Sequence, residues 1–186
     1  MLVTTGFLII STLYSAGSDN IVYAPVKGYR QGKPRTLYVS SIHQKDSDGS
    51  TLTLSPDAAK GFREMRAAAA KDGFHLDVTS AFRTYSEQRR LRTLKGELAA
   101  KPGYSSHQMG MSVDISGTTR IFKGKRNRTI LYWWLVRNAK NFGFYNDVEG
   151  EAWHWTFYKN GFKKQTKKRC TGGSECKKKS NMKESV

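Results

Sequence analysis

Residues 102–115 read Pro-Gly-Tyr-Ser-Ser-His-Gln-Met-Gly-Met-Ser-Val-Asp-Ile. Proline, glycine and serine at the front mark a loop from Lys101 to Ser106, and the end alternates as a strand does. Met111, Val113 and Ile115 point to one face, Ser112 and Asp114 to the other. A strand with a single apolar face needs neighbours and a covering layer, and the flanking sequence supplies both.

Downstream, Trp153 to Tyr158 repeats the pattern, with Trp153, Trp155 and Phe157 on one face and His154 and Thr156 on the other. Upstream, His75 to Arg83 predicts a strand with Leu76, Val78, Ser80 and Phe82 on one face and His75, Asp77, Thr79, Ala81 and Arg83 on the other. Shorter strands are expected at 35–40 and 51–54. An Ala-rich helix is expected at 57–71, stopping at Asp72-Gly73. A second, at 84–99, opens on the capping box Thr84-Tyr-Ser-Glu87. A third, at 130–142, is capped by Thr129 and carries Leu131, Trp134, Leu135 and Phe142 at helical spacing. No internal repeat is present. The expected class is α+β: a single small domain with a central, mostly antiparallel sheet flanked by helices.

The chain's 186 residues suffice for one domain with a real core plus tails, and hydrophobic residues make up 38% of them. Its net charge of +17 is unevenly spread. From Lys159 to Val186 ten Lys or Arg face two Glu, so +8 lies in a polar end with little to bury. Residues 161–186 are expected to form a basic, flexible tail, either simply solvated or holding a polyanion such as an acidic wall polymer, a lipid surface or nucleic acid. Cys170 and Cys176 both fall in it, spaced too widely for Cys-x-x-Cys and with no His nearby, which argues against a structural zinc. A small disulfide loop and two free thiols are both open there. Met1 to Gly17 carries Gly-Phe-Leu-Ile-Ile, too short a run to span a bilayer. It reads either as a signal segment with Ser15-Ala16 as its exit, although no basic residue precedes Lys27, or as an apolar strand. The domain proper is expected at 18–160.

Four histidines occur: His43, His75, His107 and His154. A catalytic zinc takes three protein ligands, typically imidazoles and a carboxylate, and keeps a fourth position open. His107, Asp114 and His154 supply that set, and Asp114 and His154 each lie opposite the apolar face of their strand. If those strands are neighbours, both side chains emerge on one polar surface, and the zinc site sits on the sheet. Glu151 then suits a general base for water attack on a peptide carbonyl. Because Glu151 and His154 are three apart, Glu151 must lie in the turn entering the strand, and Glu149-Gly150 favours that. The spacing alone is a weak signal, since a His and an Asp seven apart are common.

The flanks add to it. The segment at 102–115 resembles the zinc motif of the VanY-type D-alanyl-D-alanine carboxypeptidases, and Glu151-Ala-Trp-His-Trp resembles their second motif. Ser80-Ala-Phe-Arg-Thr-Tyr-Ser-Glu-Gln and Asn138-Ala-Lys-Asn-Phe-Gly-Phe are similar to further segments of that family, in the family's order, over about residues 55–158. The resemblance implies a hedgehog/D-Ala-D-Ala-peptidase-like fold, one zinc ion held by His107, Asp114 and His154, and Glu151 as base. It also implies Arg83 as the arginine that binds substrate and stabilises the developing oxyanion, and Ser105 as a contact for the substrate carboxylate. Gln88 and Trp153 are expected to line the pocket, beside their ordinary roles in helix surface and core.

Two departures bear on specificity. Ala152 replaces the family's usual Pro, and only seven residues lie between Gly143 and Glu151, where the family carries a longer insertion. The expected activity is removal of terminal D-alanine from peptidoglycan stem peptides, by a monomer, in the periplasm or the secreted and wall space. The alternatives on the same zinc site are an L-alanyl-D-glutamate endopeptidase and an L,D-carboxypeptidase. More distant readings are a non-catalytic wall-binding module and a basic nucleic-acid binder; no recognised nucleic-acid module is visible, and no specific nucleic acid is expected.

Overall fold

The computed structural model describes residues 23–162. The expected signal segment 1–17, the tail beyond Phe162, and Cys170 and Cys176 lie outside these residues.

The described chain opens with strands β1 (Ala24–Arg30) and β2 (Lys33–Lys45), an antiparallel hairpin in which Arg30 pairs with Lys33. Its two turn residues, Gln31 and Gly32, both have positive φ (51° and 74°), the twist that lets a two-residue loop join two right-twisted strands. β3 (Thr51–Leu54) completes the sheet β1-β2-β3. Helix α1 (Pro56–Lys71) starts on a proline and buries Ala58, Ala59, Phe62, Met65 and Ala69, a stripe at helical spacing.

Strand β4 (Val78–Ser80), helix α2 (Tyr85–Lys95) and strand β5 (Ser112–Ile115) follow. Then come the hairpin β6 (Thr119–Phe122) and β7 (Lys125–Arg128), helix α3 (Ile130–Asn138), β8 (Phe144–Tyr145) and β9 (His154–Phe157). The main sheet runs β4-β5-β9-β8, antiparallel throughout. Its apolar face, with Val113, Ile115, Trp155 and Phe157, packs in one core with Phe62, Met65 and Leu135. Phe62 and Phe144 meet edge-on at 6.2 Å. Each such large side chain contributes about 1.5–3 kcal/mol by leaving water.

The α+β class and the antiparallel central sheet agree with the sequence reading. Several details differ, and the strand expected at 35–40 extends over Lys33–Lys45. The expected strand at 75–83 shrinks to Val78–Ser80, because its register with β5 shifts between Val78 and Ser80. Beyond Ser80 the backbone bonds elsewhere: the N–H of Phe82 donates to Thr53 O and that of Arg83 to His107 O. The helices expected to reach 99 and 142 end at Lys95 and Asn138, each followed by one tighter turn, Gly96–Leu98 and Ala139–Phe142. The β6–β7 hairpin, β1 and β8 were not expected at all.

Candidate metal centre

The register of β5 on β9 pairs Ser112 with Thr156, Val113 with Trp155 and Asp114 with His154. Directly opposed residues share a face, so the carboxylate and the imidazole emerge side by side on the polar side of the sheet. His107 comes from the short turn Ser106–Met109 just before β5. Gly110 closes that turn at φ 65°, and a Cβ there would sit 2.7 Å from Ser55 N, so only glycine lets the chain double back against β3.

Three atoms converge. Asp114 Oδ1 lies 3.1 Å from His154 Nδ1 and 3.3 Å from His107 Nε2, and the two ring nitrogens are 3.2 Å apart. The other nitrogens are committed behind. His107 Nδ1–H donates to the carbonyl of Ala81 at 2.7 Å, which leaves Nε2 with its lone pair. His154 Nε2 faces Thr156 Oγ1 at 3.1 Å, and donation there frees Nδ1 in the same way. Two lone pairs and a carboxylate oxygen therefore point at one another, an arrangement that a cation relieves. A tetrahedral zinc with ligand bonds of about 2.0–2.1 Å requires ligand separations of roughly 3.3–3.4 Å, so the spacing and the donor types fit zinc.

Burial by itself would raise the Asp114 carboxyl, but without an ion those same two ring nitrogens can take up protons, and the hydrogen bonds and charge from His107 and His154 then hold it well below the usual carboxylate range. Burial pushes His107 down, with Asp114 only partly opposing it. A folded imidazole that resists protonation binds fewer protons than its unfolded counterpart, so its contribution to stability is present above the unfolded value of 6.5 and is lost as pH falls. The urea midpoint of metal-free protein is therefore expected to drop between pH 7 and 5, and His107→Gln to flatten that slope. An equally steep slope in the variant would contradict this.

Arg83 lies immediately before α2, whose start is fixed by Thr84: Glu87 N–H donates to Thr84 Oγ1 and Thr84 N–H to Glu87 Oε2. Its guanidinium donates to Gln88 Oε1 and to Ser80 Oγ, both at 2.8 Å, and stands 3.4 Å from Asp114 Oδ2. Burial lowers its pKa, while Asp114, Glu87 and Glu151 counter this, and it stays a cation. Gln88 is buried and also donates to Ala100 O, so it serves as a brace for Arg83.

Glu151 lies in the turn ahead of β9, where His154 N–H donates to Glu151 O. Asn146 ties that turn together, its Nδ2 donating to Glu151 O and His154 O, both at 2.7 Å. A cavity of about 760 Å³ is lined by Arg83, Gln88, Ser105, His107, Asp114, Glu151, Trp153 and His154. All eight residues singled out in the sequence thus face one space, of a size usual for ligand sites. The guanidinium of Arg126 sits 5.5 Å over the ring of Trp153. Ser80, Asn146 and Thr156 were not singled out. Thr156 was legible, being two residues from His154 on the same strand face. His43 and His75 lie outside this cavity.

The family model described as VanY, D-alanyl-D-alanine carboxypeptidase, matches residues 51–160. YodJ of Bacillus subtilis (strain 168), a provisionally named carboxypeptidase, is 32% identical over 54% of this chain and 45% of its own length. A D-alanyl-D-alanine carboxypeptidase of Enterococcus faecium is 29% identical over 56% of this chain and 37% of its own. The chain thus spans less than half the length of these curated relatives. Among solved structures, a zinc-bound glutamate-to-alanine variant of the vancomycin-resistance D,D-pentapeptidase VanY overlaps 65% of this chain and 78% of its own, at 24% identity and a TM-score of 0.49.

Proposed function

This chain belongs to the VanY family of D-alanyl-D-alanine carboxypeptidases, and from that premise we propose that it is a zinc peptidase removing the terminal D-alanine from peptidoglycan stem peptides. The observation that carries the proposal is the cross-strand pair Asp114–His154, joined by His107 and facing the same cavity as Glu151 and Arg83.

His107 Nε2, Asp114 Oδ1 and His154 Nδ1 would hold the zinc. When bound, the ion supplies Lewis acidity, polarising a carbonyl and lowering the pKa of water from 15.7 to about 7. Glu151 takes the proton from the attacking water and passes it to the leaving amine, as a carboxylate at the cavity wall can. Arg83, held by Ser80 and Gln88, presents a fixed cation to the oxygen on which charge develops. Ser105, buried in the cavity wall, offers a hydroxyl to the terminal carboxylate of the substrate.

This reading implies action outside the cytoplasm by a monomer, with 18–160 as the peptidase domain and 161–186 as a basic tail for an anionic wall polymer or membrane surface. A second reading, cleavage inside the stem, is favoured by the seven-residue link from Gly143 to Glu151. Zinc-loaded protein incubated with a pentapeptide stem ending in D-Ala-D-Ala, products read by mass spectrometry, separates them. Loss of one alanine is expected. Cleavage between L-Ala and D-Glu would establish the second reading, and an uncut peptide would overturn both.

A further inference from the structure

Behind His154, on the side away from Asp114, the carboxylate of Asp147 is placed in a way that the reaction so far leaves without use. Its Oδ2 accepts a hydrogen bond from the hydroxyl of Tyr158 at 2.8 Å, and burial together with this bond raises the Tyr158 pKa. Its Oδ1 is buried and has no hydrogen-bond partner. A buried carboxylate oxygen without a donor is costly, so its neighbours matter. Among the described residues, the cationic side chain within 4 Å of Asp147 is His154, whose Nε2 stands 3.8 Å from Oδ1. That gap is too long for a hydrogen bond, and a movement of about 1 Å closes it.

His154 Nε2 meanwhile faces Thr156 Oγ1, a hydroxyl also engaged with Ser112 Oγ at 2.8 Å. A hydroxyl can donate as well as accept, so Thr156 alone does not fix which ring nitrogen bears the proton. A carboxylate can only accept. Resting on the zinc reading above, we propose that Asp147 is the positioning residue for His154. It accepts the Nε2–H, keeps the Nδ1 lone pair aimed at the ion, and makes that nitrogen a better donor. Tyr158 holds the carboxylate in place from its other oxygen. Asp147 lies on the chain between β8 and the Glu151 turn, so the seven-residue link that is short of the family's insertion carries this support within it.

The test is zinc affinity, read by chelator competition on the full chain, together with urea unfolding of the metal-free protein. Asp147→Ala is expected to weaken zinc binding about 10–100-fold, the range for losing the group behind a ligating histidine. Asp147→Asn, which keeps an acceptor and loses the charge, is expected to fall between Ala and wild type. Tyr158→Phe, which leaves the carboxylate untouched, is expected to weaken binding by a smaller factor in the same direction. A merely structural role would lower the stability of the metal-free protein and leave the affinity of the folded fraction unchanged, and that result would overturn the proposal. Failure of the wild-type protein itself to bind zinc would instead overturn the reading beneath it.

Discussion

Glu151→Gln is expected to lower kcat on a D-Ala-D-Ala stem by about 10²–10⁴-fold while one zinc per chain is retained. The amide keeps the size and hydrogen-bonding reach of the side chain and removes its capacity to take a proton. Backbone contacts hold the turn in either case, because Asn146 bonds to the carbonyl of Glu151 and not to its side chain. Metal content by mass spectrometry and steady-state kinetics on the same preparation make the comparison direct. A variant with near wild-type kcat would remove Glu151 from the mechanism.

Asp114→Ala is expected to have an effect of another kind, abolishing zinc binding and activity together and also weakening the fold without metal. Asp114 touches His107, His154 and Arg83 at once, and only about a sixth of its side chain is exposed. Removing it leaves the guanidinium of Arg83, itself largely buried, without its nearest carboxylate. Breaking a buried pair from one side costs about 3–5 kcal/mol. Urea unfolding of metal-free variant and wild type measures the loss, and chelator competition measures the zinc. Retained affinity would show that another residue completes the ligand set.

The parts of this fold that the sequence made legible are those where one face is buried. In β5 and β9 the alternation of Val113 and Ile115 with Ser112 and Asp114, and of Trp155 and Phe157 with His154 and Thr156, follows from a core on one side and a cavity on the other. The capping box at Thr84 likewise marked the start of α2, and with it the place of Arg83. The β6–β7 hairpin escaped notice because nearly all its residues are exposed, so no alternation is imposed on Arg120 to Arg128. Its turn, Lys123-Gly124, also lacks the Asn-Gly or Asp-Gly signature. The shortening of the strand at 75–83 was hidden for a different reason. Alternation continues through Ala81 in the sequence, yet the Ala81 carbonyl is taken by His107, a partner 26 residues away. The braces Asn146 and Gln88 belong to the same class: their roles are set by backbone carbonyls that only the folded chain brings near.

The order of strands in the main sheet has a consequence for how the site comes into being. Among the described residues β9 is the last strand made, yet it lies inside the sheet, between β5 and β8. A ribosome adding roughly 5–20 residues per second delivers His154 some 40 residues, or about 2–8 s, after Asp114. Until then β8 has no neighbour to join, and the emerging chain holds two of the three proposed ligands beside an unfinished edge. On the zinc reading, the ion is captured tightly only once β9 has been threaded between β5 and β8, and metal occupancy becomes a record of that insertion.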